Sequence, residues 1–180
     1  MNGMQAKHMK SLLMIMASFL IRMPGANAQT EKPVKWAFTV TQVNSSEAEL
    51  VFKAKIEKGF HVYSQDINPD VGPIPTTFTF QPGSEYSLAG KVTEGEPIEI
   101  YDPNFEVKLK YFSGEAVFVQ KVKINGNKPF QVNGTVTFMV CDDRRCFPPE
   151  DLGFTFTVNG EGLNGEGKPA SPGSVKNKQP

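Results

Sequence analysis

Apolar residues recur at every second position through most of the chain, from Val34 to Val158. This period of two predicts β-strands with one buried face, because successive side chains of a strand point to opposite sides of a sheet. The runs that show it are Trp36 to Val40, Leu50 to Ile56, Phe60 to Ser64, Thr76 to Phe80, Phe105 to Tyr111, Ala116 to Ile124, Val132 to Val140 and Phe154 to Val158. No segment has the pattern of a long amphipathic helix. We predict eight or nine short strands in an all-β, immunoglobulin-like antiparallel sandwich.

Two proline-containing segments interrupt this alternation. Residues 66–75 carry three prolines and one glycine, and residues 94–104 include Pro97 and Pro103. Proline lacks the backbone N–H that a strand ladder needs. We therefore predict that both segments are irregular surface loops, which is where a rigid sandwich tends to carry its binding residues.

The N-terminus has the layout of a secretory signal peptide. Basic residues Lys7 and Lys10 precede an apolar run over residues 12–21, and the small-residue triplet Ala26-Asn27-Ala28 follows. The run has about half of the roughly twenty residues that a bilayer-spanning helix needs. We predict that residues 1–28 are a signal peptide cleaved near Ala28 and that the product does not insert into the membrane. An uncleaved N-terminal helix is the alternative.

The remaining chain is mildly acidic. Three of the 19 basic residues lie in the signal segment and all 19 acidic residues lie beyond it, which leaves 16 against 19 and a net charge of minus three. That charge argues against a nucleic acid partner. Residues 29–158 suffice for one domain with its own core, to which 14 phenylalanines can contribute. Residues 159–180 have no apolar periodicity, and we predict a disordered tail or linker there.

The chain has two cysteines, Cys141 and Cys146, and the four residues between them are polar. Such a segment can turn the chain back and bring the two β-carbons to the distance of about 3.8 Å that a disulfide requires. An exported protein keeps its disulfides. The two aspartates and two arginines between the cysteines have opposite effects on a thiolate, so they indicate no strong activation of either sulfur.

From these residues alone, three roles for the pair remain open. A bond that closes only six residues contributes roughly 2 kcal/mol as a structural staple. A redox-active pair is equally compatible with the pattern. A metal site is the least favoured, because His61 is the one histidine beyond the signal segment and zinc usually takes four ligands. A hydrolase is also disfavoured, since no nucleophile motif accompanies that single histidine.

Three motifs resemble a known family. They are Gly-Phe-His-Val-Tyr-Ser at residues 59–64, Gly-Pro-Ile-Pro-Thr at 72–76 and Met-Val-Cys-Asp-Asp-Arg-Arg-Cys-Phe-Pro-Pro at 139–149. In this order they are similar to the N-terminal periplasmic domain of the thiol-disulfide interchange protein DsbD, most of all to Bacteroidetes-type versions. The resemblance covers residues 34–158 and implies an immunoglobulin-like domain outside the cytoplasm.

This resemblance also implies an activity. Cys141 and Cys146 would cycle between dithiol and disulfide as a protein-disulfide reductase module, with Cys146 forming the mixed disulfide and Cys141 resolving it. Electrons would come from a membrane-embedded donor and pass to oxidised, thioredoxin-like periplasmic proteins. No cofactor is expected, because the electrons travel as thiols. The competing hypothesis is a secreted binding or scaffold domain whose disulfide only pins a hairpin.

Family members cover their cysteines with an aromatic cap loop, and residues 101–105 match it. The resemblance implies that Phe105 is the shielding ring, that Asp102 is a nearby acid and that Tyr63 lies close to the site. His61 is interpreted as an ordinary strand histidine. Some family members have five residues between the cysteines, and the full family protein continues into membrane and thioredoxin-like domains, so this chain is either a stand-alone module or part of a longer protein.

Overall fold

The computed structural model describes residues 32–102 and 106–160, which form eleven β-strands and no helix. The strands are β1 Val34–Asn44, β2 Glu47–Ile56, β3 His61–Tyr63, β4 Thr77–Phe80, β5 Tyr86–Glu94, β6 Ile98–Asp102, β7 Val107–Phe112, β8 Glu115–Ile124, β9 Phe130–Phe138, β10 Val140–Cys141 and β11 Glu150–Val158. Every strand pairing is antiparallel. The predicted all-β, antiparallel architecture is confirmed. In the described ranges no helix has the length and apolar character needed to cross a bilayer.

Several predictions concern residues outside the described ranges. The signal segment 1–28, the proposed shielding residue Phe105 and all but the first two residues of the tail 159–180 belong to this group. They stay predictions from the sequence.

The strands form three sheets with the orders β1-β2-β8-β5, β10-β3-β7-β6 and β11-β9-β4. The first sheet packs its buried face against the other two. Phe118 of β8 contacts Phe112 of β7 at a ring distance of 5.5 Å, and Phe52 of β2 contacts Phe78 of β4 at 4.6 Å. One hydrophobic core therefore joins strands from all three sheets.

The alternation seen in the sequence matches the burial of the central strands. In β2, Leu50, Phe52 and Ala54 are fully buried while the residues between them are more exposed. Phe52 lies edge-on to the rings of Phe154 and Phe156 at 4.9 and 5.0 Å. Burial of one such ring contributes about 1.5–3 kcal/mol to folding, so these phenylalanines dominate the stability of the core.

The prediction of an irregular loop over residues 94–104 is wrong in part, because β6 occupies Ile98–Asp102. Pro97 and Pro103 flank this strand and do not interrupt it. The strand pairs with β7 on one side and is the edge of its sheet, which is a position where neighbouring prolines are tolerated.

The sequence prediction also omitted β5, Tyr86–Glu94. Its pairing with β8 shifts register between Ala89 and Thr93, and Gly90 has a φ of 78° within that irregularity. Three residues of β5 lie opposite one residue of β8 there, and the burial of β5 departs from a period of two. The strand is consequently invisible to a search for strict alternation.

The predicted run Val132 to Val140 is two strands in two different sheets. β9 ends at Phe138 and pairs with β11 and β4, whereas β10 pairs with β3. The chain crosses from one sheet to the other at Met139. As a result, Cys141 lies beside β3 and not beside β11.

The irregular loop predicted for residues 66–75 is confirmed, since no strand lies between Tyr63 and Thr77. Its two ends are joined by hydrogen bonds from Thr76. The backbone N–H of Thr76 donates to the carbonyl oxygen of Ser64 at 3.4 Å, and its side-chain hydroxyl donates to the backbone carbonyl oxygen of Tyr63 at 2.5 Å. The loop therefore starts and finishes at the end of β3, close to the cysteines.

Candidate functional site: the cysteine hairpin

Cys141 and Cys146 face each other across a short hairpin and form a disulfide. The backbone N–H of Phe147 donates to the carbonyl oxygen of Val140 at 2.8 Å, and that of Asp142 donates to the carbonyl oxygen of Arg145 at 2.9 Å. These bonds lie on either side of the cysteines, which makes them a non-hydrogen-bonded pair. Opposed Cα atoms approach most closely at such a pair, and here they are 4.0 Å apart. The hairpin itself thus brings the two sulfurs together.

Asp142 organises the turn at the tip of the hairpin. Its Oδ1 atom accepts hydrogen bonds from the backbone N–H groups of Arg144 and Arg145, both at 2.8 Å. An aspartate that binds its own backbone in this way replaces a backbone turn. These two bonds favour the ionised carboxylate and lower the pKa of Asp142 below its ordinary value.

The two cysteines differ sharply in exposure. Cys141 is 1% exposed, whereas Cys146 lies on the exposed limb of the hairpin. Cys141 packs in a small cluster with Tyr63, Ile67 and Leu109, separate from the main core. An attacking sulfur from another protein can therefore reach Cys146 and not Cys141.

Aromatic contacts hold the exposed limb in place. The guanidinium of Arg145 lies 4.9 Å from the centre of the Phe147 ring, and that ring is 6.1 Å from the ring of Phe60. Phe147 is half-buried against the main core. Pro148 and Pro149 follow it and end the hairpin pairing before β11 begins.

His61 and Tyr63 of β3 lie on the same face of the sheet as Cys141 of β10. The imidazole Nε2 of His61 and the hydroxyl of Tyr63 are hydrogen-bonded at 3.0 Å. Burial lowers the pKa of His61, and the nearby carboxylates of Asp143 and Asp142 oppose that effect. Burial, followed by the charge of Asp102 and by Tyr111, raises the pKa of Tyr63 to about 12. At neutral pH both rings are therefore uncharged.

The structure brings Tyr63 and Cys141 into one cluster, and Asp102 lies close enough to act on the Tyr63 hydroxyl. Asp102 is the last residue of β6 and pairs with Val107. The structure also places His61 on this face, hydrogen-bonded to Tyr63. The one signal for it was its position two residues before Tyr63, which puts both side chains on one face of a strand.

Part of the sheet next to the hairpin is apolar and accessible. On β6, Ile98 and Ile100 pair with Tyr111 and Leu109 of β7, so all four side chains lie on the face that carries Cys141. The two isoleucines are 47% and 41% exposed. An apolar surface beside a reachable sulfur suits contact with another protein.

The described part of the chain contains no group of three or more histidine, cysteine, aspartate or glutamate side chains arranged to hold a metal ion. The chemistry that the hairpin itself can carry out is that of its two sulfurs.

Over residues 28–157 the chain matches the family described as "Thiol:disulfide interchange protein DsbD, N-terminal". No curated protein sequence matches the chain. Among solved structures, the N-terminal periplasmic domain of ScsB from Proteus mirabilis is similar with a TM-score of 0.52 and 11% identity, which shows a shared fold. That match covers 76% of this chain and 51% of the ScsB chain, so this chain spans about half of the length of that solved domain.

Two structures from Neisseria meningitidis are also similar. The DsbD N-terminal domain in its reduced form has 19% identity and a TM-score of 0.45, with 69% of this chain and 86% of that chain covered. The complex between the DsbD and PilB N-terminal domains has 16% identity and a TM-score of 0.45, with 70% and 85% covered.

Proposed function

The chain belongs to the family of DsbD N-terminal domains, and from this premise we propose that it passes reducing equivalents from a membrane-embedded electron donor to oxidised periplasmic proteins. Family membership and the bonded pair support thiol-disulfide exchange as the chemistry. The observation that carries the proposal is the unequal exposure of the two sulfurs, one buried and one on the surface of a hairpin. A purely structural staple does not need that difference.

In the first half of the cycle the pair is reduced. A thiolate of the donor attacks Sγ of Cys146, the Cys141–Cys146 bond breaks, and Cys141 leaves as a thiolate that takes up a proton. A second thiol of the donor then attacks the mixed disulfide and releases Cys146. The donor ends as a disulfide and the hairpin as a dithiol.

In the second half the hairpin reduces its client. The Cys146 thiolate attacks the client disulfide and forms a mixed disulfide, and one client sulfur leaves as a thiolate. Cys141 then attacks Sγ of Cys146, restores the hairpin bond and frees the second client sulfur. No cofactor takes part, because both electrons move within sulfur–sulfur bonds.

Three further residues belong to the proposed site. Tyr63 packs with Cys141, and Asp102 acts on the hydroxyl of Tyr63. Phe105, which lies outside the described residues, is proposed as the ring that shields the pair until a partner docks. Asp102 belongs to the same cap segment, residues 101–105, and its effect on Tyr63 supports a cap next to the hairpin.

The proposed location is the periplasm. Residues 1–28 would direct export and be cleaved near Ala28, residues 29–158 would form the exchange domain, and residues 159–180 would be a disordered tail or linker. The proposed clients are thioredoxin-like proteins, whose reactive cysteines also exchange disulfides. The assignment to the Bacteroidetes-type branch stays a prediction from the motifs.

Trapping tests the roles of the two cysteines. In Cys141→Ser the mixed disulfide at Cys146 cannot be resolved, so we expect a covalent adduct with a thioredoxin-like client, visible on a non-reducing gel and released by dithiothreitol. Cys146→Ser is the matched control, and it should give no adduct because Cys141 is buried. Adducts in the control and none in Cys141→Ser would contradict the proposed roles.

Redox titration separates exchange from a structural staple. An exchanging pair should have a reduction potential above about −300 mV, in the range of thioredoxin-like proteins, whereas a structural disulfide lies below that value. The measurement is equilibration of the full chain with thioredoxin, followed by alkylation and mass determination. A pair that stays oxidised with reduced thioredoxin would favour the scaffold hypothesis.

A further inference from the structure

Three side chains form one row across the hairpin and its neighbouring strand. Cys141 is the direct partner of His61 in the pairing of β10 with β3, and it is also the direct partner of Cys146. Directly opposed residues of antiparallel strands share a face and have β-carbons about 4.5–5.5 Å apart. The row therefore runs from the half-buried His61, through the buried Cys141, to the exposed Cys146.

Titratable side chains face His61 from its own strand, from β7 and from the hairpin. Tyr63 follows on the same strand and is hydrogen-bonded to Nε2, and Tyr111 of β7 lies 4.9 Å away between ring centres. From the hairpin, the carboxylates of Asp142 and Asp143 act on the imidazole. Burial outweighs these two negative charges, so the ring is neutral at pH 7 and able to accept a proton.

The buried sulfur needs such an acceptor. A thiol reacts only as its thiolate, and apolar surroundings such as those of Cys141 oppose ionisation. Once the hairpin bond is open, Cys141 is a thiol in a cluster shared with Tyr63, Ile67 and Leu109. The groups near that face that could accept its proton include neutral His61, which is the direct partner of Cys141. Asp102 lies further along, beside the hydroxyl of Tyr63, and Tyr63 itself holds its proton to high pH.

We propose that His61 is the acid–base group of the buried sulfur, taking the proton of Cys141 when that thiol attacks and returning it when Cys141 is the leaving group. This inference rests on the proposed function. It gives a chemical role to a residue that sequence patterns alone rank as an ordinary strand histidine.

Protons and electrons are conserved both when the client is released and when the donor attacks. When the client is released, the S–H bond of Cys141 breaks, its proton goes to His61, and the sulfur electron pair forms the Cys141–Cys146 bond. The bond between Cys146 and the client breaks, and the client sulfur leaves as a thiolate, which is protonated from the imidazolium or water. When the donor attacks Cys146, the Cys141–Cys146 bond breaks, and the departing Cys141 thiolate takes a proton from His61, which regains one from water.

A two-phase reaction of the reduced full chain with 5,5′-dithiobis(2-nitrobenzoate) tests this role. Cys146 attacks the reagent and releases the first coloured thiolate, and Cys141 then closes the hairpin and releases the second. In His61→Phe we expect an unchanged first phase and a second phase about tenfold slower at pH 7. An ordinary thiol is only about 3% ionised at pH 7, and burial lowers that fraction further for Cys141, so loss of a proton acceptor should slow this phase.

The pH profile provides a readout that a packing role would not change. In the unaltered chain the second-phase rate should have an inflexion at the pKa of His61, which burial lowers from its ordinary value and which an NMR titration of the same chain would measure independently. That inflexion should be lost in His61→Phe, or in His61→Gln if the first variant does not fold. Tyr111→Phe, which keeps the ring beside His61, is the matched control and should behave like the unaltered chain.

Two results would overturn the inference. The first is a second-phase rate in the His61 variants within twofold of the unaltered rate, or a pH profile that keeps its inflexion. Either would show that His61 does not transfer the proton, and the proposed function would still stand. If the reduced chain shows no first phase, the proposed function fails, and the role of His61 fails with it.

Discussion

At the scale of single residues, the site depends on side chains that bind backbone groups. Asp142 is partly exposed, and its carboxylate accepts two turn N–H groups and so fixes the tip of the hairpin. Both aspartates act on His61, Asp143 more strongly than Asp142. Asp142 therefore both fixes the turn and contributes to the charge beside the histidine.

The titration of Asp142 should be visible in the turn. The folded-state pKa of Asp142 is lowered from its ordinary 3.8. Its contribution to the stability of the folded state is therefore present above pH 3.8 and is lost as the pH falls through the folded-state pKa. We expect the amide proton signals of Arg144 and Arg145 to shift in an NMR titration below pH 3.8. Asp142→Asn should abolish this shift and Asp143→Asn should retain it. Shifts that persist in Asp142→Asn would contradict the assignment.

At the scale of strands, the crossing of the chain between two sheets sets the position of the cysteines. β9 continues into β10 through Met139 and changes partner from β11 to β3. Val140 then packs in the main core and Cys141 in the small cluster. Because the crossing has a single residue, β9 must be held firmly if β10 is to stay beside His61.

Gly134 permits the close packing of β9. A β-carbon at this position would overlap the carbonyl oxygen of Thr79 and the ring of Phe154. We expect Gly134→Ala to lower the free energy of unfolding by about 1–3 kcal/mol, the usual cost of overpacking. Chemical denaturation followed by tryptophan fluorescence measures it.

Gly153→Ala is the control for this substitution. Gly153 lies on the paired strand β11, and its added β-carbon would have as its nearest neighbour the Gly134 carbonyl oxygen at 4.0 Å. Its effect should be smaller than that of Gly134→Ala. Equal losses in the two variants would show that the cost comes from the glycine backbone and not from the overlap.

At the scale of the whole molecule, the main core and the cysteine pair are largely separate. The main core is built from phenylalanines of three sheets, whereas Cys141 packs in its own small cluster and Cys146 is exposed. The bond closes only the six residues from Cys141 to Cys146. A domain of this kind can open its disulfide without losing its fold.

Reduction should therefore be a small perturbation. We expect it to lower the free energy of unfolding by about 2 kcal/mol, the chain-entropy value for a six-residue loop, with an unchanged far-UV circular dichroism spectrum. A Cys141→Ala, Cys146→Ala double variant should have the stability of the reduced chain. Unfolding of the domain on reduction would indicate that the bond is a structural element.

The sequence by itself determined the class of fold and the location of the cysteine pair. Alternation is a local property, because a strand of period two buries one face whatever its partner is. The spacing of Cys141 and Cys146 is local too, since four polar residues suffice to turn the chain. The motif at residues 139–149 was therefore readable without a structure.

Only the tertiary structure decided which strands meet and which sulfur is reachable. The sequence patterns did not predict β5 and β6. A bulge interrupts the alternation in β5, and a proline lies on each side of β6 in the sequence. His61 and Cys141 are eighty residues apart, and their contact depends on the register between β3 and β10. That register is set by packing against the common core, an interaction between distant segments that no local pattern encodes.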